Sequence, residues 1–392
     1  MFSSKIKKGK RIVGLDIEAS SIAATELEVN GGVRLGGYGI GSLDAGIFRD
    51  GEVLDPEELA GALKELFSSV KLSRDVRLGV ANQRVTVRTL RLPRMEDPAE
   101  LEAAIRFQAQ DQIPMPLEQA VLDWQVIPAP PTGEIQEVDV VVVAARRDML
   151  QKAIQAVRGA GLRLVGIDHS AFALIRALKG SQNGEATTFG PVDPGVSFDP
   201  MGAGEAIDGQ ATTAAMEMEP IPAEPADGIA GRAFCSLGDV TNLAVSRGPY
   251  CVFTRALSFG VEGMAQSLAE RAGLTLGHAR QWLVHVGLEA PLEAVEGDPE
   301  VVSITREALA NGASRLGDEL RPSLEFYAAQ EDSVRVESMV VAGAGTRIPG
   351  LIDRLRQELP VPIEAVTPGA LAGIPGEEAA RLTLSYGLGL EE

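Results

Sequence analysis

Cysteine, histidine and aromatic residues are scarce in this chain, and each scarcity closes off a class of function. Two cysteines, Cys235 and Cys251, stand among 392 residues, each inside an apolar, strand-like run. With no CxxC pair and no His-rich neighbourhood they read as buried reduced thiols; nothing suggests a disulfide framework or a metal site. The three histidines, His169, His278 and His285, are too scattered for a nucleophile–base pair. Aromatics make up 4% of the residues, so the cores must be built from Leu, Val, Ile and Ala. Basic residues number 36 against 55 acids, and a net charge of -19 argues against the broad cationic face that nucleic acid requires. Long apolar runs are lacking too. The longest, Val140 to Ala145, falls far short of the roughly 20 residues of a membrane-spanning helix. The basic start (Lys5, Lys7, Lys8, Lys10, Arg11) has no apolar segment behind it and does not read as a signal peptide.

What the chain does have is length for two domains, each with its own core. Nearly half of the net charge lies in residues 180–231, with nine acids, no Lys or Arg, six Pro and nine Gly. Such composition buries too little apolar surface to offset the entropy of ordering, so a disordered insertion is expected there. On either side, strands and helices alternate. Arg11-Ile-Val-Gly-Leu-Asp16 reads as a strand ending in an acid, and Ile22 to Val29 as its hairpin partner. Asp55-Pro-Glu-Glu and Asp97-Pro open helices with a capping carboxylate and Pro at the first position. Further strands are expected at Val76 to Ala81, Arg84 to Leu92, Val138 to Ala145 and Leu162 to Ile167. After the acidic stretch the pattern restarts: a strand at Ala233 to Leu237, a polar turn, then Leu243 to Ser246. A long helix from about Val302 to Ala329 precedes a strand at Ser338 to Ala342. Each half thus begins strand, polar turn, strand, which suggests a duplicated α/β architecture flanking a cleft.

Three turns are built to face an anion. Short turns of small polar residues leave backbone N–H groups free for phosphate oxygens, and an Asp at a strand end can hold Mg²⁺ through water. Asp16 with Ser20 and Ser21 fits this in the first half, and Gly238, Asp239, Thr241 and Asn242 fit it in the second. Gly343, Gly345 and Thr346, between a strand and a helix, suit close approach of an adenosine moiety. In this order the three turns resemble the phosphate-1, phosphate-2 and adenosine elements of the actin, Hsp70 and sugar-kinase superfamily. Within it, Val85-Thr-Val-Arg88 through Pro93, Glu100 to Ile105, Gln112-Ile-Pro114 and Leu122-Asp-Trp124 resemble the special subdomain of PilM. Phe253-Thr-Arg255, Gly260, Gly273-Leu274-Thr275 and the ending Ser385-Tyr-Gly387 agree with the same family.

The resemblance implies RNase H-like domains of the actin/Hsp70 type with a PilM-type inserted subdomain. The boundaries it suggests are 1–40 and 137–179 for the first domain, 41–136 for the inserted subdomain and 232–392 for the second domain. It implies a cytoplasmic scaffold of the type IV pilus inner-membrane complex, peripheral to the membrane through its partner. That partner is the N-terminal cytoplasmic peptide of a PilN-like membrane protein, held near Arg88, Gln108 and Gln112; pilus motor ATPases are further partners. Neither nucleic acid nor direct membrane contact is expected. ATP with Mg²⁺ is the cofactor of the wider superfamily, and an active Mg-ATP-dependent switch is the alternative reading.

Departures from the family pattern favour the scaffold. Glu18 stands where a Gly is usual and Ala23 where a Lys is usual; Ser236 replaces an Asp, Arg280 and Leu283 replace the Glu and Lys near adenine, and Ala344 replaces a Gly. A carboxylate about 4 Å from a phosphate, at an effective dielectric near 20, costs on the order of 4 kcal/mol. Losing the acid at 236 removes a metal- or water-orienting group that hydrolysis needs. Together these imply a degenerate actin-like ATPase that works as a binding scaffold more than as an enzyme, with no catalytic residue assigned.

Overall fold

A computed structural model describes residues 10–29, 32–127, 137–179, 230–330 and 333–390. The acidic stretch expected to be disordered, apart from its last two residues, and the basic start before Lys10 lie outside the described residues. The chain opens with β1 (Lys10–Ile17), β2 (Ser21–Val29) and β3 (Val33–Ser42), followed by the short hairpin β4 (Phe48–Arg49) and β5 (Glu52–Val53). Helix α1 (Pro56–Ser69) begins as the sequence predicts. Asp55 accepts from the Glu57 and Glu58 amides, and Leu59, Leu63 and Leu66 turn one apolar stripe inward. Then come β6 (Asp75–Val80), β7 (Thr86–Pro93), α2 (Pro98–Gln112), β8 (Ala120–Ile127), β9 (Glu137–Arg146), α3 (Arg147–Gly159), β10 (Arg163–His169) and α4 (Ser170–Lys179). The second half holds β11 (Gly231–Leu237), β12 (Thr241–Arg247), β13 (Tyr250–Leu257), α5 (Val261–Ala272), α6 (Leu276–Val286), α7 (Pro299–Ala328), β14 (Val336–Ala342), α8 (Leu351–Glu358), β15 (Ile363–Ala365) and α9 (Gly376–Gly389).

Two five-stranded sheets repeat one plan, in the orders β10-β6-β1-β2-β3 and β13-β12-β11-β14-β15. In each, the opening hairpin is antiparallel and its first strand takes a parallel partner on the other side, β6 beside β1 and β14 beside β11. A third sheet, β7-β9-β8, is covered on one face by α2, where Leu90, Leu92, Val140 and Val142 pack on Ile105 and Ala109. The segment 41–136 does not fold as one unit. Its β6 lies in the first sheet, and β9, from beyond it, is the centre of the third. The reason is hydrogen bonding: a buried strand needs partners on both edges, and β9 finds them in β7 and β8.

The halves are interlocked by two helices. Although α4 follows the first sheet, it packs on the second through Leu174, Leu178, Phe234, Ala244 and Val340. Conversely α9 follows the second sheet but packs on the first, its Leu382 and Ala379 against Ala23. Where α9 passes β1, a Cβ on Gly14 would stand 1.9 Å from the Ser385 carbonyl oxygen, so only Gly fits. The C-terminal carbonyls of α9 are capped from the first half: Arg77 donates to Leu388 and Leu390 at 3.1 and 2.7 Å, and Arg176 to Gly387 at 3.2 Å. The third sheet is tied to the second half through buried Asp139, which accepts from Arg91 at 3.1 Å and from Arg247 at 2.7 Å.

Candidate functional site

The β1–β2 turn and the β11–β12 turn face each other. Both are tight because both strands run straight into their partners: Ile17 pairs with Ile22, and Leu237 with Thr241. The turns meet through side chains and backbone. Ser20 donates to Asp239 Oδ2 from its amide at 3.0 Å and from its hydroxyl at 2.8 Å. In return the Asp239 amide donates to Glu18 Oε1 at 3.1 Å. The Glu18 amide closes its own turn on the Ser21 carbonyl at 2.9 Å. From behind, the Val261 amide at the start of α5 binds the Gly238 carbonyl at 2.9 Å.

Burial makes this junction electrostatically tense. Asp16 is almost fully buried, and desolvation, with the nearby Asp239 carboxylate, pushes its pKa up from about 3.8 to about 7. Glu18 is raised well above the usual carboxylate range by burial first, then by Asp239 and Asp16; the Asp239 amide and Arg381 oppose this. Asp239 is raised by burial and by Glu262, and is relieved by Ser20 and Arg280. Arg280 itself is clamped by Glu262 at 2.8 and 2.6 Å, so its charge is half spent on a local partner.

The sequence candidates are distributed as follows. Asp16 and Asn242 line a cavity of about 30 Å³ between the halves, with Glu18 at its wall. Ser20 and Asp239 bind each other across the junction. Ser21 is buried at the start of β2, where its carbonyl serves the turn. Thr241 Oγ1 and Asn242 Oδ1 are buried without a hydrogen-bond partner. Gly343, Gly345 and Thr346 form a separate turn that closes on itself, Thr346 Oγ1 donating to the Gly343 carbonyl at 2.8 Å. This turn lies on the end of β11: a Cβ on Gly343 would be 2.8 Å from the Leu237 carbonyl oxygen. None of its residues lines the Asp16 cavity.

A nucleotide phosphate does not fit these residues as they stand. The amide that would face it donates to Glu18, the Ser20 groups are taken by Asp239, and 30 Å³ is room for about one or two waters. Among the described residues no group of three or more His, Cys, Asp or Glu could hold a metal ion. The sequence reading missed two features. Glu18 meets the second half directly, and Glu262 with Arg280 backs Asp239; both are contacts between residues far apart in the chain that no local pattern announces.

Residues 14–186 match the model of a family described as type IV pilus assembly protein PilM. The family resemblance read from the sequence holds. Over nearly its full length the chain also superposes on a solved PilM-PilN type IV pilus biogenesis complex, with a TM-score of 0.72 and 24% identity, covering 97% of this chain and 99% of that one. The ethanolamine utilization protein EutJ from Carboxydothermus hydrogenoformans matches at 0.49 and 12% identity, covering 96% and 89%. MreB5 of Spiroplasma citri bound to ADP matches at 0.46 and 12%, covering 94% of each chain. The fold is the α/β, actin-like ATPase fold with PilM-like architecture. No helix of the described residues is long and apolar enough to cross a membrane.

Proposed function

We propose that this chain is a cytoplasmic scaffold of type IV pilus assembly that holds the cytoplasmic tail of a PilN-like membrane protein and turns over no ATP. The observation that carries the reading is the end-to-end likeness to a chain of a PilM-PilN type IV pilus biogenesis complex, joined to two candidate phosphate turns that bind each other. Of the three residues expected at the partner surface, Arg88 is on β7 of the third sheet, and Gln108 and Gln112 are on α2, which covers that sheet. Arg88 shares the face of β7 that carries Leu90 and Leu92, the face that α2 covers. Gln108, on α2, donates weakly to the Arg91 carbonyl at 3.4 Å while its Oε1 is buried without a partner. Gln112 is exposed at the end of the same helix. An extended peptide there would supply main-chain N–H groups to such acceptors and apolar side chains to the sheet.

A peptide copy of the N-terminal tail of the PilN-type protein from the same genome should bind with a dissociation constant of tens of micromolar, about -6 kcal/mol. Gln108→Ala with Gln112→Ala should weaken it by roughly tenfold, as loss of one or two good hydrogen bonds does. Absence of binding at several hundred micromolar peptide would sink the scaffold reading.

A further inference from the structure

Glu18 lies in a place that a passive surface acid would not reach. Its side chain crosses from the first half to the second and accepts the Asp239 amide at 3.1 Å. The fit depends on Gly238, where a Cβ would stand 1.9 Å from Glu18 Oε1. Gly260 is equally constrained, since its Cβ would lie 2.4 Å from the Gly238 carbonyl oxygen; the turn is therefore held from behind and cannot retreat. The paired Ser20–Asp239 contact runs the opposite way, from the second half's carboxylate to the first half's amide and hydroxyl. Each half thus presents a carboxylate to the other half's turn.

We propose that Glu18 is a built-in occupant of the β11–β12 turn: its carboxyl takes the amide that a ligand's anionic oxygen would need, and with Ser20–Asp239 it straps the cleft shut with no ligand bound. The groups facing this strap are Asp16 from β1, Asp239 from the opposite turn, Arg381 from α9, and the Glu262–Arg280 pair of α5 and α6 behind Asp239. Thr241 and Asn242 keep unpartnered buried oxygens beside it, the residue of a polar turn whose amide has been claimed from within. The strap gives the body a fixed interdomain angle, which suits a protein that must hold a partner constantly and need not cycle. It builds on the scaffold reading, but its test uses no partner peptide, so either can fail alone.

The test is hydrogen exchange on the full chain without ligand, reading residues 236–242 relative to β13. Glu18→Ala should speed exchange of the Asp239 amide at least tenfold, and Glu18→Gln, which keeps an acceptor oxygen, should preserve most of the protection. A second arm reads thermal stability. Gly238→Ala should destabilise the chain strongly alone and far less in the Glu18→Ala background, because the two changes relieve one collision. Unchanged protection in Glu18→Ala, or equal destabilisation by Gly238→Ala in both backgrounds, overturns the strap.

Discussion

Asp16→Asn raises the melting temperature at pH 8 and leaves it almost unchanged at pH 4. In the folded chain the Asp16 carboxyl holds its proton up to about pH 7, against about 3.8 when unfolded. Between those values the folded state binds more protons than the unfolded one, so stability falls as pH rises and stays low above pH 7. Removing the carboxylate removes that loss. A displacement from 3.8 to about 7 corresponds to on the order of 4 kcal/mol at alkaline pH, an upper bound because Glu18 and Asp239 share the strain. Melting curves from pH 4 to pH 9 check it: the two proteins should coincide at the acid end and diverge through pH 5 to 7. Parallel curves would mean that Asp16 is ionised in the folded chain and that the junction is better solvated than its burial implies.

Gly387→Ala is the second large effect. Gly387 sits where α9 crosses α4, and a Cβ there would stand 2.0 Å from the Ala173 carbonyl oxygen and 2.7 Å from its carbon. Both neighbours are backbone, and the two helices are what interlock the halves, so neither can move without opening a core. The expected loss is about 3 kcal/mol or more, above the usual overpacking cost because the collision is with main chain. Urea unfolding measures it, with Gly373→Ala as the control; nothing lies within 4 Å of a Cβ at Gly373, and that change should stay within about 0.5 kcal/mol.

Much of the architecture was legible because it is locally encoded. The caps at Asp55 and Asp97 announce α1 and α2, and the apolar runs at 138–145 and 338–342 announce β9 and β14. β3 was not read, since its glycines at 36, 37, 39 and 41 interrupt any alternation. Nor was β8, where Asp123 breaks the apolar run. The exchange of α4 and α9 between sheets is a long-range packing choice that neither helix's own periodicity contains. At the site, the sequence assigned Asp16, Ser20, Asp239 and Asn242 to the polar turns of the two halves; in the structure Ser20 binds Asp239, and Asp16 and Asn242 line one cavity. It read Glu18 only as a charge hostile to phosphate. That the same side chain closes on the opposite turn depends on Gly238 being 220 positions away in the chain and adjacent in space.

The central claim is that this body is held closed by its own side chains and carries its partner without nucleotide. Calorimetric titration of the full chain with ATP and Mg²⁺ tests it most directly. The account predicts no binding heat up to millimolar ATP. Binding in the micromolar range would show that Glu18 and Asp239 give way to phosphate, and would return a nucleotide-driven switch to first place.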